Sequence, residues 1–176
     1  MKIVAAAGLL LCAMSTSSLA DKSKVNRPMI EAMEHGLDRK LAGLWPRDPV
    51  EVLGLTQGTY IEGYGAVFMG EVNVAPAAGT SPFHPTVTAD EVKRTHDKKL
   101  QRMAQFRAAM REMLVDSARS LDSVPSDEQV AVSISLFYWT WENREGLPAQ
   151  IVMHAPRKAL LQSTSAEQAP VVAQEF

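Results

Sequence analysis

Between Thr88 and Pro125 the chain contains neither glycine nor proline, and no other feature constrains its fold as strongly. Thr88-Ala89-Asp90-Glu91 spells a capping box. The Thr88 hydroxyl would accept an orphan N–H of the first turn, and the Glu91 carboxylate would return to the cap residue's own N–H. At about 100° per residue, Val92, Met103, Met110, Leu114 and Leu121 fall in a narrow arc flanked by Leu100, Phe106 and Ala118. The spacing predicts one helix from Thr88 to Leu121, on the order of 50 Å long at 1.5 Å per residue. A helix with one apolar stripe must lie on another layer.

The flanking segments supply that layer. In Thr59–Val74 (TYIEGYGAVFMGEVNV) the strand formers cluster. Thr59–Ile61 and Tyr64–Val74 read as two strands joined at Glu62-Gly63-Tyr64-Gly65, since glycine supplies the positive φ of a tight turn. A single strand bulged at Gly63 is the alternative. The longer strand is apolar on both faces, which predicts burial on both sides. After the helix, Val130, Val132, Ile134, Leu136 and Tyr138 alternate with Ala131, Ser133, Ser135, Phe137 and Trp139. This period of two predicts a strand. Glu142–Pro148 reads as a loop and Gln150–His154 as the strand returning from it.

Before the sheet, Met29, Ile30, Met33, Leu37 and Leu41 recur at helical spacing behind Pro28, predicting a helix over Arg27–Ala42. Trp45 reads as an apolar plug in the loop that follows, and Ala75–Pro85 as an exposed connector. A short helix follows Pro156. The fold class is therefore α+β: a small antiparallel or mixed sheet of about four strands in two hairpins, covered by one long helix, with an N-terminal helix. The expected organisation is a signal peptide over 1–20, one α+β domain over 21–161 and a disordered tail over 162–176.

The signal peptide rests on Lys2, the apolar run Ile3–Met14 and the small-x-small site Ser18-Leu19-Ala20. That run is too short to span a bilayer. Cleavage after Ala20 is expected, which makes the protein exported, periplasmic or extracellular. The single cysteine, Cys12, lies inside the signal. The mature chain would then have no disulfide and no thiol nucleophile. With 18 basic and 20 acidic residues, the formal charge is −2 at pH 7. That balance argues against nucleic acid as a partner.

No cofactor or catalytic motif appears: no G-x-S-x-G, H-E-x-x-H, P-loop, G-x-G-x-x-G or EF-hand loop. No cofactor and no metal are expected. His84 and His154 match no ligand spacing. The helical projection places His96 inside the apolar arc and Arg107 within about 60° of its centre. Buried charges need partners, so Glu62 and Glu71 become candidates to meet them in an acid–base cluster. Lys93, Arg94, Lys98, Lys99 and Arg102 make the first half of the helix basic. With Asp90, Glu91 and Asp97 among them, they read as a solvated face laced with ion pairs, or as a contact for anionic surfaces. Tyr138, Trp139 and Trp141 crowd the end of the alternating strand. They suit core packing or a ligand-binding aromatic platform. Three functions fit: a non-catalytic binding or interaction module, a hydrolase-like enzyme using Glu71, His96 and Arg107, and a structural subunit assembling through a hairpin edge. Oligomeric state is left open.

Overall fold

The structure is a computed structural model that describes residues 24–77 and 86–176. Residues 1–20, expected to be a signal peptide, lie outside the described residues, as do His84 and positions 78–85 of the expected connector. The elements are α1 (Arg27–Ala42), β1 (Glu51–Val52), β2 (Gln57–Ile61), β3 (Gly65–Asn73), α2 (Ala89–Ser120), β4 (Gln129–Leu136), β5 (Gln150–Pro156), α3 (Arg157–Gln162) and β6 (Val172–Glu175).

Local chemistry fixes most of these boundaries. Asn26 caps α1 by accepting from Met29 N at 3.1 Å, and Pro28 sits in the first turn. Thr88 and Glu91 form the capping box of α2. The turn between β2 and β3 is real: Tyr64 N donates to Ile61 O at 3.0 Å, with Gly63 at φ 80°. Gly65 follows at φ 134°, where a Cβ would lie 1.9 Å from Gln129 O. Glycine there lets the start of β3 lie directly against the start of β4.

β1 and β2 both pair with β3, antiparallel and end to end, so they form one interrupted edge strand. β3 pairs with β4 in parallel, which requires the crossover that α2 supplies. β4 and β5 form an antiparallel hairpin. β5 then pairs with β6, so residues expected to be a disordered tail supply an edge strand instead. The sheet is mixed, and the α+β class holds, with β1 and β6 added to the two expected hairpins.

The core lies between the sheet and the helices. Ala66, Phe68 and Val72 of β3, Val130, Val132, Ile134 and Leu136 of β4, and Ile151, Met153 and Ala155 of β5 meet Ile30, Leu37 and Leu41 of α1. They also meet Met103, Phe106, Met110 and Leu114 of α2 and Leu160 of α3. Glu34 of α1 is buried and anchors β2. It accepts from Gly58 N at 2.5 Å and from Arg27 at 2.8 Å.

The other residues of each strand point away from the helices. Here the expectation for β3 fails. It is central in the sheet but buried on one face only, because Val67 is half-buried and Met69 is exposed. The open face carries Gln57, Thr59 and Ile61, then Val67, Met69 and Glu71, then Ala131, Ser133 and Ser135, then Gln150, Val152 and His154. Val172 and Gln174 complete it on β6.

Candidate functional site

The first half of α2 crosses the end of the sheet where β3 and β4 both finish. Two loops meet it there, 43–50 before β1 and 137–149 between β4 and β5. Lys99 points into this junction. Its side chain is 0% exposed and its Nζ lies 2.5 Å from Glu142 Oε2, whose side chain is 2% exposed. The same ammonium donates to Phe137 O at 3.0 Å and sits 4.5 Å from the Tyr138 ring centroid. Glu142 Oε1 accepts from Trp139 N at 3.1 Å. Burial pushes the Lys99 ammonium below its ordinary value, and the Glu142 carboxylate opposes that push. Tyr138 donates its hydroxyl to Pro148 O at 2.7 Å. Burial, reinforced by Glu142, raises its phenol to about 12.

One turn on, Arg102 is also buried. Its Nη1 donates to Val74 O at 2.5 Å, and its Nη2 reaches Asp48 O at 2.8 Å and Asp48 Oδ2 at 2.6 Å. The guanidinium lies 4.5 Å from the Trp45 ring centroid. Trp45 adopts φ 50°, a left-handed backbone for a bulky residue, and its Nε1 donates to Gln105 at 2.8 Å. Lys98 pairs with Asp48 Oδ2 at 2.5 Å and lowers that carboxyl below the usual carboxylate range. Arg102 thus ties the end of β3 and the 43–50 loop to α2 through both terminal nitrogens of its guanidinium.

These contacts correct the reading of α2. Lys99 and Arg102 leave the solvated basic face and carry the buried charge. Lys93 keeps to the solvated, ion-paired face with Asp97 at 2.6 Å, and Lys98 pairs with Asp48 of the 43–50 loop at 2.5 Å. A sharper helical projection finds the buried pair. Thr95, Phe106, Met113 and Ser117 are all buried, which shifts the arc so that Lys99 falls between Met103 and Phe106.

The expected cluster of Glu62, Glu71, His96 and Arg107 is not brought together. Glu71 is exposed on the open face of the sheet, opposite α2. Glu62 sits in the turn that begins β3, at the end of the sheet opposite the one Lys99 occupies. His96 Nε2 lies 2.8 Å from Glu145 O, so this ring nitrogen carries the proton and donates it. Arg107 forms a two-bond pair with Glu175 of β6, at 2.5 and 2.9 Å. That pair lowers the Glu175 carboxyl and raises the Arg107 guanidinium.

The three aromatic candidates also part company. Tyr138 is buried, Trp139 is 40% exposed and packs edge-on against Phe137, and Trp141 is half-buried. They form no shared platform. Trp141 instead lines a cavity of about 210 Å³ with Ala77, Val87, Glu91, Arg94 and Thr95. Trp141 Nε1 is buried and has no hydrogen-bond partner among the described residues. The same holds for both amide atoms of Asn73, the last residue of β3. Among the described residues, no three His, Cys, Asp or Glu side chains gather to hold a metal ion, and no helix is long and apolar enough to cross a membrane.

The fold and its ion pairs define a mixed-sheet α+β protein with helices on one face of the sheet. No family model matches the chain, and no curated protein or solved structure is significantly similar to it.

Proposed function

We propose that this chain is an exported, non-catalytic interaction module of the bacterial envelope or exterior, acting through the open face of its sheet. One observation carries the reading. The helices cover a single face, and on the other Ile61, Met69 and Val172 stand 50%, 48% and 49% exposed among mostly uncharged side chains, with Glu71 and His154 the titratable ones. These three stand on separate strands, with the half-buried Val67 and Val152 between them, and a sheet face left open with apolar side chains spread across it suits contact with another molecule. The buried ionisable groups, in contrast, are consumed internally. Lys99 has Glu142 and Arg102 has Asp48, so neither is poised for acid–base work. The apolar run Ile3–Met14 and the small-x-small site at Ala20 support export.

Methionine oxidation tests the reading directly. Purified protein at low concentration should oxidise readily at Met69. The same residue should be protected when the oxidant is applied to cells exporting the protein at native level. Equal reactivity in both settings would overturn the proposal. Mass spectrometry of the exported chain should show Asp21 as its first residue.

A further inference from the structure

We infer that the open face is closed by a second copy of this chain, packed sheet against sheet about a two-fold axis. The inference rests on the interaction-module reading above and names its partner.

The first argument is size. Five strand positions at about 4.8 Å, averaging about seven residues at about 3.3 Å per residue, give a footprint of roughly 24 by 23 Å, or about 550 Å². Side-chain relief raises the accessible area above the flat footprint, toward the roughly 800 Å² per partner of a standard stable interface. A small ligand would leave most of such a face wet.

The second argument is charge. Across β2 to β6 this face carries only Glu71 and His154 as titratable side chains, with Glu51 beyond its corner on β1. A face that meets its own copy must avoid opposing like charges. Here the field of Thr59, Val67, Met69, Ala131, Ser133 and Val152 is neutral.

The third argument is position. In the sheet register Glu71 stands beside Ser135 and His154 beside Ala131, on opposite sides of β4. Ser133 is midway between those two β4 residues, so it lies midway between Glu71 and His154. The two ionisable groups are about 16 Å apart, two strands across and four residues along. A two-fold axis lying between the sheets, over Ser133 and perpendicular to the Glu71–His154 line, sets each Glu71 over the other copy's His154. The contact then occurs twice, as an isologous interface requires. At its centre Ala131 and Ser133 are already buried among their larger neighbours, Ser133 Oγ accepting from Gln150 Nε2 at 2.9 Å, so the face is recessed at the axis and the two sheets meet there without a clash. Met69 and Val152, the flanking partners of Ser133 in the register, stand beside it as apolar knobs.

Sedimentation equilibrium of the mature chain from 1 to 500 μM tests this. The expected result is a reversible monomer–dimer equilibrium. Ser133→Arg, a large charge at the axis, should weaken it at least 100-fold. Met69→Lys, a change at a half-exposed position that spares the fold, should do the same with an unchanged far-UV CD spectrum. Glu71→Lys and His154→Glu should each weaken association about tenfold, and the double exchange should restore it. A monomer at every concentration overturns the inference. So does a dimer indifferent to Met69→Lys, which would place assembly at a sheet edge, or a double exchange that fails to restore binding. If the purified chain is monomeric while Met69 is protected in cells, the second copy falls and the interaction module stands. If Met69 is unprotected as well, both fall.

Discussion

The Lys99–Glu142 pair offers the sharpest test of how this fold is held. At 2.5 Å, two unit charges attract by about 6–7 kcal/mol at an effective dielectric of about 20. Desolvating each ion costs several kcal/mol, so the intact pair nets little. Removing one partner is different. Glu142→Gln keeps the side-chain shape and the acceptor for Trp139 N, but leaves a desolvated ammonium held only by Phe137 O and the Tyr138 ring. The expected loss is about 3–5 kcal/mol, a large share of the roughly 5–15 kcal/mol of a typical domain. For a chain of this size it corresponds to a fall in Tm of roughly 6–20 °C. Lys99→Met should also destabilise, because it strands the Glu142 carboxylate. Lys99→Met with Glu142→Gln should return to within about 1 kcal/mol of the parent, since an uncharged pair of similar volume avoids the desolvation. Urea unfolding of the four proteins, followed by far-UV CD, closes the cycle. The interaction term should be at least about 2 kcal/mol. A Glu142→Gln loss under about 1 kcal/mol, or a double variant worse than either single one, would refute the argument that the pair matters through mutual neutralisation.

The same junction predicts alkaline behaviour. The Tyr138 phenol is raised to about 12, so the folded state holds its proton longer than the unfolded one. Stability should therefore fall as pH rises from about 10 to 12, by on the order of 2–3 kcal/mol, and absorbance at 295 nm should show a tyrosine titrating late. Lys99 has the opposite sign. Its folded value is depressed, so its contribution rises as pH climbs from that value toward about 10.4. Lys99→Met should remove that rise. Arg107→Ala should cost less than about 1 kcal/mol, as exposed pairs do, yet speed hydrogen exchange of the β6 amides selectively. Acid should do likewise, because the depressed Glu175 carboxyl loses its contribution as pH falls below about 4. Asn73→Leu removes a fully buried amide whose two polar atoms find no partner among the described residues, and should raise stability by about 1–3 kcal/mol in urea unfolding.

Much of the architecture was legible because it is written in local signals. The capping box at Thr88, the long run without glycine or proline, and the alternation from Val130 to Leu136 each point to one local structure, and each forms it. The turn at Gly63 is equally local. What escaped was pairing over distance. β6 is four exposed residues with no alternation to read. It exists because β5 offers an unpaired edge and Arg107 offers Glu175 a partner. Likewise, two apolar faces on β3 suggested cover on both sides, but sequence composition does not record which layers a chain supplies. With both α1 and α2 on one side of the sheet, the second face of β3 is left open whatever its residues.

The misplaced charges on α2 teach a more specific lesson. In the arc of Val92, Met103, Met110, Leu114 and Leu121, His96 and Lys99 lie on opposite sides of the centre, each within about 40°. Phe106, Met113 and Ser117 move the centre toward Lys99, which becomes the most deeply enclosed charge on the helix. An ammonium in that position cannot snorkel to water, because residues 137–149 close over it. It therefore dictates that this loop return a carboxylate, which Glu142 does at 2.5 Å. Arg102 imposes the same demand on the 43–50 loop, and Asp48 answers it. The charges at this end of α2 thus act as docking pegs for two irregular loops, adding fixed ion pairs to the apolar contacts of Leu44, Trp45, Val50, Tyr138 and Leu147. By fastening both loops on the helix side, they leave the opposite face of the sheet unobstructed. That is the face on which the interaction proposal depends.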